Sequence, residues 1–291
     1  MSELSTRYHT VSIDGLDVFY REAGDRSNPT LLLLHGFPSS SHMFRNLISS
    51  LSDSYHLVAP DHIGFGNSSK PAVSDFNYSF DRLTEITEGL ITHLALDRFA
   101  IYIHDYGAPI GLRIASARPE RITAIITQSG NAYLEGFSRP FWDRLFAYAK
   151  DRSVENEIPV REYFTVEATK WQYQNGVPED RLDRIAPEAW QQDQATLDSK
   201  GNDAVQLQLF WDYQFNLDSY PKFQEYFRTH QPPLLVTWGK NDEIFGAPGA
   251  EAYRRDLPNG EFHLLDTGHF ALETHGEEIS GYIRNFLAKL S

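Results

Sequence analysis

Asp105, Asp242 and His269 carry side chains that can do chemistry together. One carboxylate can attack carbon, the imidazole can move a proton, and the second carboxylate can orient the imidazole. Asp105 ends the apolar run Ile101-Tyr102-Ile103-His104 without a break, and small residues follow it in Gly107 and Ala108. Burying a carboxylate at the tip of a strand is costly unless it is paired or used. Strand, sharp turn and helix in that order make the nucleophile-elbow geometry, which holds one side chain out over a sheet edge. The usual serine of Gly-x-Ser-x-Gly is replaced by Asp105, with Tyr106 after it. The ordinary alternative for an Asp-x-Gly turn is a helix N-cap.

The elements around these residues set the context. Val11-Ser12-Ile13 and Leu16-Asp17-Val18-Phe19-Tyr20, joined by Asp14-Gly15, predict an antiparallel hairpin with a type I′ turn. Thr30-Leu31-Leu32-Leu33-Leu34 and His56-Leu57-Val58-Ala59-Pro60 are apolar throughout, as strands covered on both faces are. The first ends in His35-Gly36-Phe37-Pro38, the second in the glycine-rich loop Asp61-His62-Ile63-Gly64-Phe65-Gly66-Asn67-Ser68. That loop lacks the third glycine and the following helix of a dinucleotide-binding turn. Helices are expected around Phe44–Leu51, from Ser79 to Leu94, and over Ala108–Ala117. Further strands are expected at Ile122–Thr127, Pro233–Trp238 and Glu261–Leu265, with a helix around Ala250–Asp256 and a last one over Glu277–Leu290. Alternating strands and helices imply an α/β fold: a mostly parallel sheet flanked by helices.

The alternation stops between Gln128 and Pro232, where the sequence is helical in pattern and holds Trp142, Trp171, Trp190 and Trp211 among many aromatics. This is too long for a loop and predicts an inserted helical cap. The expected division is a core of residues 1–131 and 227–291 and a cap of residues 132–226. Asp105, Asp242 and His269 then fall just beyond the C-terminal ends of three strands, the edge where open α/β sheets bind ligands. His263 belongs to a strand and His275 to the approach of the last helix, so His269 is the histidine on a strand-end loop.

The totals restrict partners. A net charge of −14 with dispersed acidic residues disfavours nucleic acid and anionic membranes. No cysteine is present, which excludes disulfides and thiolate catalysis and fits a cytoplasmic setting. No apolar run suits a membrane span, and Met1-Ser2-Glu3-Leu4-Ser5 has neither the basic nor the apolar part of a secretory signal. No cofactor is expected, and no oligomeric state is implied.

Five segments carry a family likeness: His35-Gly36-Phe37-Pro38, Asp61-x-x-Gly64-x-Gly66-x-Ser68, His104-Asp105-Tyr106-Gly107, Trp238-Gly239-x-x-Asp242 and Gly268-His269-Phe270. The chain resembles, over nearly its whole length, an α/β-hydrolase of the aspartate-nucleophile branch, which contains epoxide hydrolases and haloalkane dehalogenases. The resemblance implies that Asp105 displaces a leaving group from saturated carbon and forms an ester. His269, oriented by Asp242, then activates water to hydrolyse it. A carboxylate with an ordinary pKa near ~4 needs no base for its own attack. Backbone N–H groups of Phe37 and Tyr106 are expected to hold the oxyanion. A halide needs side-chain N–H donors, and dehalogenases typically place Trp after the nucleophile; here Tyr106 and Phe37 stand at the two obvious positions. The Arg that fluoroacetate-type dehalogenases carry there is also absent. An epoxide oxygen needs an acid, for which cap tyrosines serve: Tyr213 resembles one, with Tyr148 or Tyr163 as its partner. Small hydrophobic substrate, water and an epoxide leaving group form the first expectation. Haloalkane dehalogenation is the alternative, and a non-catalytic ligand-binding protein the third.

Overall fold

Five runs are buried almost end to end and pair as the parallel centre of a sheet: β3 (Thr30–Leu34), β4 (His56–Pro60), β5 (Phe99–His104), β6 (Ile122–Gln128) and β7 (Leu234–Gly239). Residues apolar on both sides can be covered only by helices on both faces, and so they are. In this computed structural model, which describes residues 5–290, β1 (Arg7–Ile13) and β2 (Leu16–Ala23) form an antiparallel hairpin at one edge. Asp14 and Gly15 take φ of 53° and 80°, as the type I′ turn requires. β8 (Glu261–Leu265) closes the other edge, half-exposed. The order is β1-β2-β4-β3-β5-β6-β7-β8, with only the pairs made by β2 antiparallel. The chain leaves β3 toward one edge and β5 toward the other, so the loops after these two strands diverge at a switch point.

Helix α1 (Arg45–Leu51) packs with α11 (Ala271–Ala288) over one face. On the other face lie α2 (Phe80–His93), capped by the Ser79 side chain, and α3 (Gly107–Ala117). Between β6 and β7 come α4 (Phe141–Lys150), α5 (Val154–Arg161), α6 (Val166–Gln174), α7 (Pro187–Leu197), α8 (Asn202–Asp212) and α9 (Asn216–His230). The expected cap boundary at 226/227 falls inside α9, which packs against α3. α10 (Ala247–Ala252) follows β7. Phe141, Trp142, Tyr148, Phe210, Tyr213 and Tyr220 join one apolar cluster with Leu34, Ile101 and Ile103 of the sheet.

One boundary departs clearly from expectation. α11 starts at Ala271, directly after Phe270, rather than at Glu277. Its regular apolar spacing begins only at Ile279, and His275 breaks the helical backbone (φ −128°), so the first turn has no periodic signal. Burial of Ala271 and Leu272 holds it instead. Among the described residues no helix is long and apolar enough to cross a membrane, and no His, Asp and Glu cluster is arranged for a metal ion. The expectation about a leader rests mainly on residues 1–4, which lie outside the described residues.

Candidate active site

The turn between β5 and α3 forces Asp105 into the left-handed region, with φ of 49°. Small neighbours make this turn possible. A Cβ on Gly107 would lie 2.1 Å from the Leu34 carbonyl oxygen, and one on Gly36 would lie 2.2 Å from Asp105 Oδ1. The backbone N–H groups of Phe37 and Tyr106 both donate to Asp105 Oδ1, at 2.7 and 2.6 Å. The N-cap alternative is not what the side chain does: α3 starts at Gly107 without a side-chain cap. Burial pushes the Asp105 carboxyl up to about 6, against the charge of His269 and the two N–H bonds that favour the anion.

The loop carrying Phe37 is braced by two neutral histidines. His62 N donates to His35 Nε2, and His62 Nε2 bonds the His35 carbonyl, both at 3.0 Å. Burial lowers His35 to about 4, and His62 is also lowered by burial. Asp61 accepts from the N–H groups of Ser41 and Asn67 at 2.7 Å each, tying the loop after β3 to the glycine-rich loop after β4.

His269 Nδ1 lies 2.9 Å from Asp242 Oδ2, and its Nε2 lies 4.0 Å from Asp105 Oδ2. An ionised carboxylate only accepts, so the proton sits on Nδ1 and leaves the Nε2 lone pair facing Asp105. Nε2 has no hydrogen-bond partner. Burial works to lower the His269 pKa, but the charge and hydrogen bond of Asp242 and the charge of Asp105 raise it overall. Asp242 is fully used as an acceptor. Its Oδ1 takes the N–H groups of Ile244 and Phe245, and its Oδ2 takes Ser129 Oγ at 2.7 Å besides His269. The His104 ring, 4.6 Å from that of His269, is held neutral by burial.

Of the three tyrosines, the structure brings Tyr213 to the site. Its ring lies 5.9 Å from that of Tyr106; both hydroxyls are buried, that of Tyr106 has no hydrogen-bond partner, and that of Tyr213 has only the Tyr220 phenol close to it. Burial, the Tyr220 phenol and the charge of Asp105 push the Tyr213 phenol well above its ordinary range, so it stays protonated. Tyr163 is otherwise engaged: its hydroxyl donates to the Phe141 carbonyl at 3.1 Å. Tyr148 lies beneath the Arg152 guanidinium, 5.7 Å from it. The Tyr163 hydroxyl is therefore not free, and the Tyr148 ring meets Arg152 rather than a ring around the nucleophile. Long aromatic stretches at helical spacing look alike in sequence whether a ring faces core, surface or site.

Residues missed by sequence reasoning sit at the end of β6. Ser129, at φ 53°, donates to Asp242, and Gln128 Nε2 donates to the His269 carbonyl at 3.0 Å. The one available signal was their position at the same strand-end edge as the triad.

The fold and this constellation can be compared with known proteins. A model of the alpha/beta hydrolase fold family matches residues 29–276. The chain belongs to the α/β-hydrolase family. An uncharacterized hydrolase of Saccharomyces cerevisiae is 45% identical to it over 99% of this chain and 100% of that one. A haloalkane dehalogenase of Mycolicibacterium paratuberculosis is 36% identical over 40% of this α/β-hydrolase and 38% of that protein. The crystal structure of haloalkane dehalogenase DatA from Agrobacterium tumefaciens C58 has a TM-score of 0.81 at 21% identity, covering 99% of this chain and 98% of that one. That likeness is one of fold.

Proposed function

We propose that this hydrolase opens a small epoxide through an ester on Asp105 and releases a diol. The observation that carries the reading is the Tyr213 hydroxyl, buried and protonated within reach of the Asp105 charge, with only the Tyr220 phenol beside it and no bond to a carbonyl or carboxylate, its ring against that of Tyr106. An alkoxide is a poor leaving group and needs a proton as it forms. Asp105 Oδ2, the oxygen without N–H donors, attacks the epoxide carbon while the carbon–oxygen bond breaks. The freed electron pair takes the proton of Tyr213. His269 Nε2 then removes a proton from water, which adds to the carboxyl carbon of Asp105. The negative charge develops on Oδ1, where the Phe37 and Tyr106 N–H groups already point. Collapse breaks the bond between that carbon and Oδ2, so the diol leaves with an oxygen from Asp105. The protons on His269 and on the new carboxyl return to the departing alkoxide and to Tyr213. The insertion between β6 and β7 acts as the cap that keeps bulk water out.

Haloalkane dehalogenation is the second reading, and the relatives favour it: proteins similar over part of this chain and solved structures of the same fold include several haloalkane dehalogenases. Against it stands the state of the two buried indoles. Trp142 donates to the Ile244 carbonyl at 2.8 Å and Trp238 to the Phe245 carbonyl at 2.7 Å, so neither N–H is free for a halide. A panel of epoxides and haloalkanes, with diol and halide measured in parallel, separates the two. Tyr213→Phe should slow epoxide alkylation of Asp105 by about 10²-fold. Halide release with every epoxide ignored would give the case to dehalogenation.

A further inference from the structure

His269 sits on the turn between β8 and α11. One hydrogen bond, from Nδ1 to Asp242, fixes its ring, and Nε2 has no partner. From inside the core, Gln128 Nε2 holds the His269 backbone carbonyl. A ring held at one atom can pivot about that bond unless its neighbours stop it, and a displacement of about 1 Å is enough to slow a reaction about 10²-fold. What stops the pivot from outside lies in the insertion between β6 and β7.

The end of α6 and the turn after it, Tyr173 to Gly176, touch the residues that flank His269 and Asp242. The Tyr173 ring lies flat on that of Phe270, with centroids 3.9 Å apart and planes 1° from parallel. The Phe270 ring in turn meets the His269 ring edge-on at 5.1 Å, and all three are buried. On the other side of His269, the Asn175 carbonyl comes so near Gly268 that a Cβ there would lie 1.9 Å from its oxygen. The Gly176 carbonyl accepts from Asn241 Nδ2 at 2.7 Å, and the same amide donates to Asp266 Oδ1 at 3.0 Å. Gly176 takes φ of 76°, and a Cβ on it would lie 2.5 Å from the Asn241 carbonyl oxygen. Tyr173 is itself anchored within the insertion, where its hydroxyl donates to Asp193 Oδ2 of α7 at 2.5 Å. Plain packing of an insertion on a core would account for one such contact. Here a ring stack, a carbonyl approach and a hydrogen bond converge on Phe270, Gly268 and Asn241, each next in sequence to His269 or Asp242.

We propose that Tyr173 and Asn241 are positioning residues through which the seated insertion holds His269 against Asp242 for hydrolysis of the ester. The proposal rests on the aspartyl-ester reading above, holds for either leaving group, and adds control of the second step by the insertion. Asp105 attacks as an anion and needs no base, so ester formation does not depend on the end of α6. Ester hydrolysis does, because His269 Nε2 must meet water at the Asp105 carboxyl carbon.

Two measurements test this. Proton NMR reads the Nδ1–H that His269 shares with Asp242, a far-downfield resonance that a well-held buried pair shows and a loose one loses to exchange with water. The wild type and Tyr173→Phe, which keeps the ring stack, should show it, whereas Tyr173→Leu and Asn241→Ala should broaden it. Rapid-quench mass spectrometry then follows the Asp105 peptide with 1,2-epoxybutane or 1-bromobutane. In the same two variants the ester should form within about 3-fold of the wild-type rate and be hydrolysed at least about 10-fold more slowly, with Tyr173→Phe close to the wild type in both steps. Should Tyr173→Leu fail to fold, Asn241→Ala, changed at a half-buried side chain, decides alone. A resonance that stays sharp in a folded variant removes that residue from the assignment, and one that stays sharp in both overturns the proposal. So does a wild type without the resonance, or a folded variant in which both steps slow equally. Diol or bromide released by the wild type with no ester trapped in His269→Gln overturns the aspartyl-ester reading instead. The resonance then still decides whether the end of α6 holds His269, as it does where neither compound is turned over.

Discussion

Asp105 meets two opposed demands. A nucleophile must be ionised, yet burial pushes its carboxyl up to about 6, above the ordinary range. Two N–H donors on Oδ1 and the nearby His269 keep it usable near neutral pH, and the alkylation step should lose its rate as pH falls through about 6. His269 shows a matching economy. Its pKa is raised in part by the charge of Asp105, and esterification removes that charge. The imidazole thereby becomes easier to hold neutral when it must act as base. The raised pKa of Asp105 also bears on stability. The folded chain holds a proton that the unfolded chain gives up near pH ~4, so this contribution is fully present below about pH 4 and lost as pH rises through about 6. Asn at this position keeps an acceptor for both N–H groups, tolerates the left-handed backbone and removes the buried charge. Asp105→Asn, although inactive, should melt about 2–6 °C above the wild type near neutral pH, with the difference shrinking toward pH ~4. A lower melting temperature at neutral pH would show that its contact with His269 outweighs desolvation.

The elements carry the site by close approach rather than by length. The loop after β3 touches the elbow after β5 because Gly36 lacks a Cβ; one added there would meet Asp105 Oδ1 at 2.2 Å and Tyr106 N at 2.5 Å. Gly36→Ala should thus reduce ester formation by about 10²-fold or more through displaced N–H donors, since a shift of about 1 Å has such an effect. Rapid-quench measurement of the ester checks this; unchanged ester formation in the variant would mean that the loop has room the geometry does not suggest. Strand ends were the legible part of the sequence. Runs such as Ile101–Ile103 and Leu234–Val236 are apolar on both faces, and the strands they belong to are followed by Asp105 and, three residues past Gly239, by Asp242. Gln128 and Ser129 were not legible, because a polar pair after a strand looks like any loop. The start of α11 was missed since its first turn has no apolar period and His275 interrupts the helix.

At the scale of the whole molecule, the alternation of strands and helices specified a mostly parallel sheet, and the structure has one, with the hairpin at its edge. The inner order of the helices between β6 and β7 was beyond sequence reading. Their rings are at once core and site wall: Trp142 packs on Tyr213 at 4.5 Å while its indole N–H is spent on the Ile244 carbonyl. Only the fold shows which of these tyrosines lies within reach of the Asp105 charge. In the proposed mechanism water attacks the protein and not the substrate. A single turnover of excess enzyme in ¹⁸O-labelled water, followed by mass spectrometry of the product and of the peptide containing Asp105, tests this directly. An aspartyl ester resolved by water puts ¹⁸O in the Asp105 carboxylate and leaves the diol of that first turnover unlabelled. Label in the first-turnover diol with Asp105 unlabelled would mean direct attack by water, and would contradict the aspartyl ester.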